Sequence, residues 1–331
     1  MTDTMQINLD IIPTFADVLA AAERMAEHAV HTPLLENARL NELTGGRVFL
    51  KMESLQRTGA FKFRGAVARL SQLADEGVGA VIAYSTGNHG QAIATAARIF
   101  GLEATIVMPS DAPKSKVARA EAAGAQIRFY DRRTESREEI AAQICAEKGG
   151  VIVPPGDDPG IIAGQGTAAL EALRDLAARG YAADFLVTPC GGGGLAAGCA
   201  TVLREISAST ALYAAEPAAY NDTQLSLAAR KRVEVPDRSA RSICDALLAP
   251  IPAELPFKIN VGALAGVVTA TDDEVRRAMR FALDELKVLV EPGGAVALAA
   301  VLAGRPDLRG KTAVVLCTGG NVDADIVAEL F

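Results

Sequence analysis

Four segments of this 331-residue chain carry residue types whose spacing could do chemistry. In Ser54-Leu55-Gln56-Arg57-Thr58-Gly59-Ala60-Phe61-Lys62-Phe63-Arg64-Gly65-Ala66, one lysine stands between two phenylalanines at the start of a predicted helix. Apolar surroundings disfavour the ammonium, lower the amine pKa and release Lys62 as a nucleophile or Schiff-base former. Most such lysines instead extend their charge to solvent, and Lys51 and Lys258 have comparable neighbours. Composition alone therefore does not single out Lys62. The second segment, Cys190-Gly191-Gly192-Gly193-Gly194-Leu195-Ala196-Ala197-Gly198, follows a predicted strand. Its consecutive glycines leave backbone N–H groups able to converge on an anion, and a helix starting near Leu195 adds its positive end. A phosphate site is the direct reading; a tight turn alone needs only one or two glycines. The same stretch fits a dinucleotide fingerprint through Gly192, Gly194 and Ala197, with Glu216 on the next strand, so an NAD-dependent oxidoreductase is a competing expectation.

In the third segment, Tyr84-Ser85-Thr86-Gly87-Asn88-His89-Gly90, two hydroxyls and an amide at a strand-to-helix junction form a neutral donor nest suited to a carboxylate. Plain N-capping by Ser85 or Thr86 is compatible with that reading. The fourth, Leu316-Cys317-Thr318-Gly319-Gly320-Asn321-Val322-Asp323, offers a hydroxyl beside a glycine turn. Only three histidines occur (His28, His31, His89), which leaves no convincing His-based metal site or Ser-His-Asp triad. His89 reads as a hydrogen-bonded packing residue.

These segments need a scaffold that brings strand ends together. Short β-branched runs alternate with helical periodicity, predicting parallel sheets with covering helices. The predicted strands are Arg47–Lys51, Ala80–Ser85, Ala104–Met108, Gln126–Tyr130, Val151–Pro154, Phe185–Pro189, Leu212–Glu216, Val267–Thr271 and Ala313–Cys317. An early helix covers Thr14–Ala29, and Asp272-Asp273-Glu274 opens another, with acids at its positive end. The expected organisation is two lobes: residues 1–74 with 157–331 as a large domain, and residues 75–156 as a small inserted α/β domain. Arg230–Arg241 reads as a surface connection. Open α/β sheets place ligands in the cleft at their strand ends.

Composition narrows the partners. Half of the residues are hydrophobic, and 33 Lys+Arg against 40 Asp+Glu give a net charge of −7 without basic blocks, which disfavours nucleic acid. No run is long and apolar enough to span a bilayer, and Met1–Met5 lacks a signal-peptide pattern, so a cytoplasmic location is expected. Cys145, Cys190, Cys199, Cys244 and Cys317 are scattered in apolar segments and read as reduced core thiols.

Taken in order, the four segments, with Ala163-Gly164-Gln165-Gly166-Thr167, resemble the fold-type II pyridoxal-phosphate enzymes, specifically the serine/threonine dehydratase and serine racemase branch. The resemblance runs from His31 to Asp323. It implies a two-lobed α/β fold like that of tryptophan synthase β, with Lys62 carrying pyridoxal 5'-phosphate and Phe61 packed beside the ring. Asn88 then meets the phenolic oxygen, Gly191, Gly192, Gly193, Gly194 and Leu195 cradle the phosphate, Thr318 faces the pyridine nitrogen, and Glu291 lies near the ring. Ser85, Thr86, Gly87, Asn88 and His89 hold the substrate carboxylate, and Lys62 and Thr86 are the catalytic positions. The implied reaction is dehydration and deamination of L-threonine, L-serine or a related β-hydroxy amino acid to a 2-oxo acid and ammonia. 3-Hydroxyaspartate dehydration and serine racemisation are the alternatives within the family. Threonine at position 86, where the racemases carry a second serine, keeps a hydroxyl but adds a methyl, and this favours elimination. Cys244-Asp245-Ala246 replaces a common Ala-Asp-Gly and reshapes the pocket with one methyl. Glu216, Tyr220 and Asp222 resemble the family's divalent-cation site, suited to Mg²⁺ or Ca²⁺. A homodimer is implied by analogy. With only eight residues after Asp323, a C-terminal regulatory domain is not expected.

Overall fold

The computed structural model describes residues 8–330 apart from Thr86, Pro113 and Arg132. Among these described residues, ten strands form two sheets. The larger runs in the order β1 (Leu34–Glu36), β2 (Arg47–Met52), β10 (Thr312–Cys317), β7 (Phe185–Pro189), β8 (Ala211–Pro217), β9 (Leu264–Ala270). The smaller runs in the order β5 (Gln126–Tyr130), β4 (Glu103–Pro109), β3 (Ala80–Tyr84), β6 (Val151–Ile152). Every pairing is parallel except that of β1 with β2. Helices cover the larger sheet on both faces, which is why β2 and β10 read as near-continuous apolar runs and not as alternation: Val48, Phe49, Leu50, Val314, Val315 and Leu316 are all buried.

Close helix packing explains a core built without tryptophan. The helix Pro159–Ala178 lies between the helices Lys62–Asp75 and Gly194–Ile206. A Cβ on Gly164 would sit 2.7 Å from the Arg64 carbonyl oxygen, and one on Gly166 would sit 2.8 Å from the Gly198 carbonyl oxygen. Glycine at both positions lets the backbones touch. The helix that starts at Lys62 and the one that starts behind the glycine loop are thus fixed against a common third helix.

The structure corrects several boundaries. Leu34–Glu36 is a strand that the sequence reading missed. The early helix spans Phe15–Met25, with Thr14 outside it as a capping-box residue paired with Asp17. Thr271 is not the end of a strand; its hydroxyl accepts from Glu274 N–H and caps the helix Asp272–Phe281. All five cysteines are buried and unpaired with one another. No helix among the described residues is long and apolar enough to cross a membrane.

Candidate active site

The segment before Lys62 is tied to the last strand's loop: Phe61 N–H donates to Thr318 O at 3.0 Å, and Ala60 forms a bridge with Gly319. Lys62 is the first residue of its helix, at the edge of a cleft of about 610 Å³. Its Nζ donates to Pro155 O at 2.7 Å and lies 4.9 Å from the Phe61 ring centroid. Burial without a balancing carboxylate lowers its pKa to about 8. The helix is held from below by Arg64, fully buried, which donates to Glu53 through Nε (2.7 Å) and Nη2 (2.8 Å) and to Glu171 through Nη1 (2.8 Å) and Nη2 (2.7 Å).

Across the cleft lies the glycine loop. Gly193 adopts φ of 92°, a left-handed conformation that favours glycine, and the first internal bond of the following helix is Ala197 N–H to Gly193 O. The N–H groups of Gly191, Gly192, Gly193, Gly194 and Leu195 make no protein hydrogen bond among the described residues. A cluster of unspent donors at a helix start fits a phosphate. The nest at Ser85–His89 behaves similarly. Here the capping expectation is corrected: the N-cap is Gly87 with no side-chain cap, and Ser85 Oγ accepts from Gly87 N–H at 3.2 Å. Thr86 lies outside the described residues. The first backbone bond of this helix is Gln91 N–H to Gly87 O, so the N–H groups of Asn88, His89 and Gly90 precede it.

Asn88 links the nest to the far wall. Its Nδ2 donates to Glu291 Oε1 at 2.6 Å, and its Oδ1 accepts from Asn321 Nδ2 at 2.9 Å. His89 is buried and donates from Nε2 to Val153 O at 2.9 Å. Burial, reinforced by the Lys62 charge, depresses its pKa to about 3, so the ring is neutral and is no base at ordinary pH. Phe61, Lys62, Ser85, Gly87, Asn88, His89, Gly191–Leu195, Glu291 and Thr318 all line the one cleft.

Glu216, Tyr220 and Asp222 do not line it. Glu216 is fully buried and caps the helix Asp222–Ala229 from a distance, accepting from Thr223 N–H (2.8 Å) and Gln224 N–H (3.0 Å). That occupation removes Glu216 as the ribose-binding acid of the dinucleotide reading. Asp222 is also fully buried, and neither of its oxygens has a hydrogen-bond partner among the described residues. Burial pushes both carboxyls up, and the Glu216 charge pushes Asp222 further. The Tyr220 hydroxyl donates to Arg238 O and Ala240 O. No group of three His, Cys, Asp or Glu suited to a metal occurs among the described residues.

Three arginines of the cleft escaped the sequence reading: Arg119, Arg137 and Arg232. Arg137 stacks 5.2 Å from the Tyr84 ring centroid and donates from Nε to Glu138. Isolated arginines on separate helices and loops give no local signal.

A lysine amine of lowered pKa and a run of unspent backbone donors thus line one open cleft. Residues 25–319 match the family model of the pyridoxal-phosphate dependent enzymes, and the chain belongs to that family. It is 40% identical over 321 residues, 97% of each chain, to an L-threo-3-hydroxyaspartate ammonia-lyase of Saccharomyces cerevisiae. A serine racemase of Schizosaccharomyces pombe is 37% identical over 96% of this chain and 97% of its own length. The maize serine racemase structure superposes with a TM-score of 0.90 at 33% identity, over 96% of this chain and 97% of that one.

Proposed function

We propose that this chain catalyses β-elimination from a β-hydroxy amino acid, releasing a 2-oxo acid and ammonia, with 3-hydroxyaspartate the substrate best matched to its cleft. The observation that carries the reading is the Lys62 amine, freed from any carboxylate partner, in one cleft with the glycine cradle and the Ser85–His89 nest. Bound pyridoxal 5'-phosphate supplies an electron sink for the charge left at the substrate Cα. The chain's residues do the rest. N–H groups of Gly191–Leu195 hold the phosphate, and those of the Asn88 helix start hold the substrate carboxylate. Lys62 Nζ takes the α-proton at close range. Thr318, which lines the same cleft, would present a neutral hydroxyl to the cofactor. The hydroxyl leaves Cβ as water, taking up one proton in balance with the α-proton that Lys62 removes, and the released enamine is hydrolysed to the oxo acid and ammonia. Residues 75–156 then act as a smaller lobe bearing the carboxylate nest.

Dicarboxylate preference follows from the cleft's arginines. Arg137 spends Nε on Glu138 and stacks its guanidinium on Tyr84, and its terminal nitrogens have no hydrogen-bond partner among the described residues. They suit a second substrate carboxylate, and the hydroxyaspartate ammonia-lyase relative agrees. Arg137→Ala should raise KM for 3-hydroxyaspartate by about tenfold to a hundredfold, the worth of a charged hydrogen bond, while moving L-serine by less than about threefold. Ammonia release across a panel of β-hydroxy amino acids checks this; equal losses on both substrates would contradict it.

The partnerless Asp222 opposite Glu216 fits a divalent cation, with the Tyr220 carbonyl as a third oxygen. Without a cation these carboxyls hold their protons more tightly folded than unfolded. Stability then declines as pH rises from about 4, the ordinary carboxyl value, toward about 8, where Asp222 titrates. Added Mg²⁺ or Ca²⁺ should offset that decline, raising Tm more at pH 8 than at pH 6. Asp222→Asn should abolish the cation effect; a Tm indifferent to both ions would remove the site.

A further inference from the structure

The glycine loop is backed by the helix Glu254–Ala263, and two of its carbonyls are held on that side. Gly192 O accepts from Ala253 N–H at 3.1 Å. Gly193 O accepts both from Ala197 N–H at 2.9 Å and from the Asn260 side-chain Nδ2 at 3.1 Å. In a trans peptide, the carbonyl of one residue and the N–H of the next face opposite ways. Drawing the Gly192 and Gly193 carbonyls toward the helix therefore turns the Gly193 and Gly194 N–H groups to the other side, where the cleft lies. Apart from the weak contact of the Cys190 thiol with Gly191 O at 3.6 Å, Asn260 is the only side chain among the described residues that bonds a carbonyl of this loop. It is 2% exposed, and a Cβ on Gly193 would lie 2.8 Å from its Nδ2, so the side chain packs closely against the loop. The helix carrying Asn260 is itself anchored, since Leu255 N–H donates to Asp157 Oδ1 at 2.9 Å.

We infer that Asn260 is a positioning residue for the cofactor's phosphate: it fixes the peptide planes of the glycine loop so that their N–H groups are aimed before the phosphate arrives. The inference rests on the pyridoxal-phosphate reading of the cleft and extends it to a residue outside the cleft. Asn260 touches no ligand and acts through Gly193.

The test compares two cofactors that differ only in the phosphate. Asn260→Leu removes the donor together with the Asn260 Oδ1, which has no partner among the described residues, so the fold should lose little. Asn260→Asp keeps the shape and places a negative charge behind the loop. Binding of pyridoxal 5'-phosphate and of pyridoxal to the full chain is followed by absorbance, and the bound phosphate by ³¹P NMR. The leucine variant should bind pyridoxal 5'-phosphate about tenfold more weakly, and the aspartate variant weaker still, while pyridoxal binding stays unchanged. The ³¹P resonance should also shift between wild type and variant. Unchanged pyridoxal 5'-phosphate affinity in both variants, or equal weakening toward both cofactors, would overturn the assignment. Failure of the wild-type chain to bind either cofactor would instead count against the functional reading itself.

Discussion

Replacing Lys62 with alanine should lower turnover by about 10⁴-fold or more, because the substitution removes both the covalent anchor and the group that takes the α-proton. The fold should survive. Lys62 makes a single polar contact, to Pro155 O, and that carbonyl also accepts from Gln165 Nε2 at 3.2 Å. A Tm near wild type with ammonia release at background is the expected pair of results. The same amine sets a pH dependence for cofactor capture by the wild-type chain. Only the neutral amine attacks a carbonyl, and burial lowers the Lys62 pKa to about 8. The capture rate should therefore rise about tenfold per pH unit below that value and level off above it. A lysine with an ordinary pKa would keep rising past pH 9.

Arg64→Met should destabilise the chain by about 3–5 kcal/mol, the cost of leaving a buried charge without its partner. Burial works against the guanidinium charge, but Glu53 and Glu171 outweigh it and hold the Arg64 pKa above its ordinary value. The cost falls chiefly on Glu53. That carboxylate is fully buried and accepts two of Arg64's hydrogen bonds, and its other close partner is the neutral Thr32 hydroxyl at 2.5 Å. Glu171 keeps Lys51, whose Nζ lies 2.8 Å from Oε2. The double replacement Arg64→Met with Glu53→Met should recover most of the loss, since apolar groups of similar size fill the site without stranding a charge. Denaturant midpoints of the two single variants and the double measure this. Additive losses would show that the pair does not act as a unit.

Comparison of three lysines shows how far the sequence could be read. Lys51, Lys62 and Lys258 all follow apolar residues, and local composition does not separate them. In the folded chain Lys51 is fully buried but paired with Glu171, and Lys258 pairs with Asp10 and Glu254 near the surface. Lys62 alone of the three combines burial with the absence of an acid. Glu171 lies 120 positions from Lys51 and Asp10 lies 248 from Lys258, whereas Glu254 stands only four residues before Lys258, so local spacing could set Lys258 aside but only the family resemblance could choose between Lys51 and Lys62.

The glycine loop was legible because its signal is local: consecutive glycines after a strand need no distant partner to be recognised. Parallel strands were legible for the same reason, as buried runs between helices. The strand Leu34–Glu36 was not, since three residues pair antiparallel with Phe49–Lys51 by a register set across the sheet. Arg137 and Asn260 reach the cleft or its backing from helices far apart in sequence, and neither stands in a motif. Ser85 or Thr86 was expected to cap the helix, but Gly87 is the N-cap with no side-chain cap, and Thr86 lies outside the described residues.

The central claim is that Lys62 holds the cofactor. Its most direct test is borohydride reduction of the purified, coloured protein, followed by proteolysis and mass analysis. The account predicts that the visible band disappears and that the pyridoxyl group is found on the peptide containing Lys62. A protein that remains colourless after pyridoxal 5'-phosphate is added, or a pyridoxyl group found on Lys51 or Lys258 instead, would contradict it.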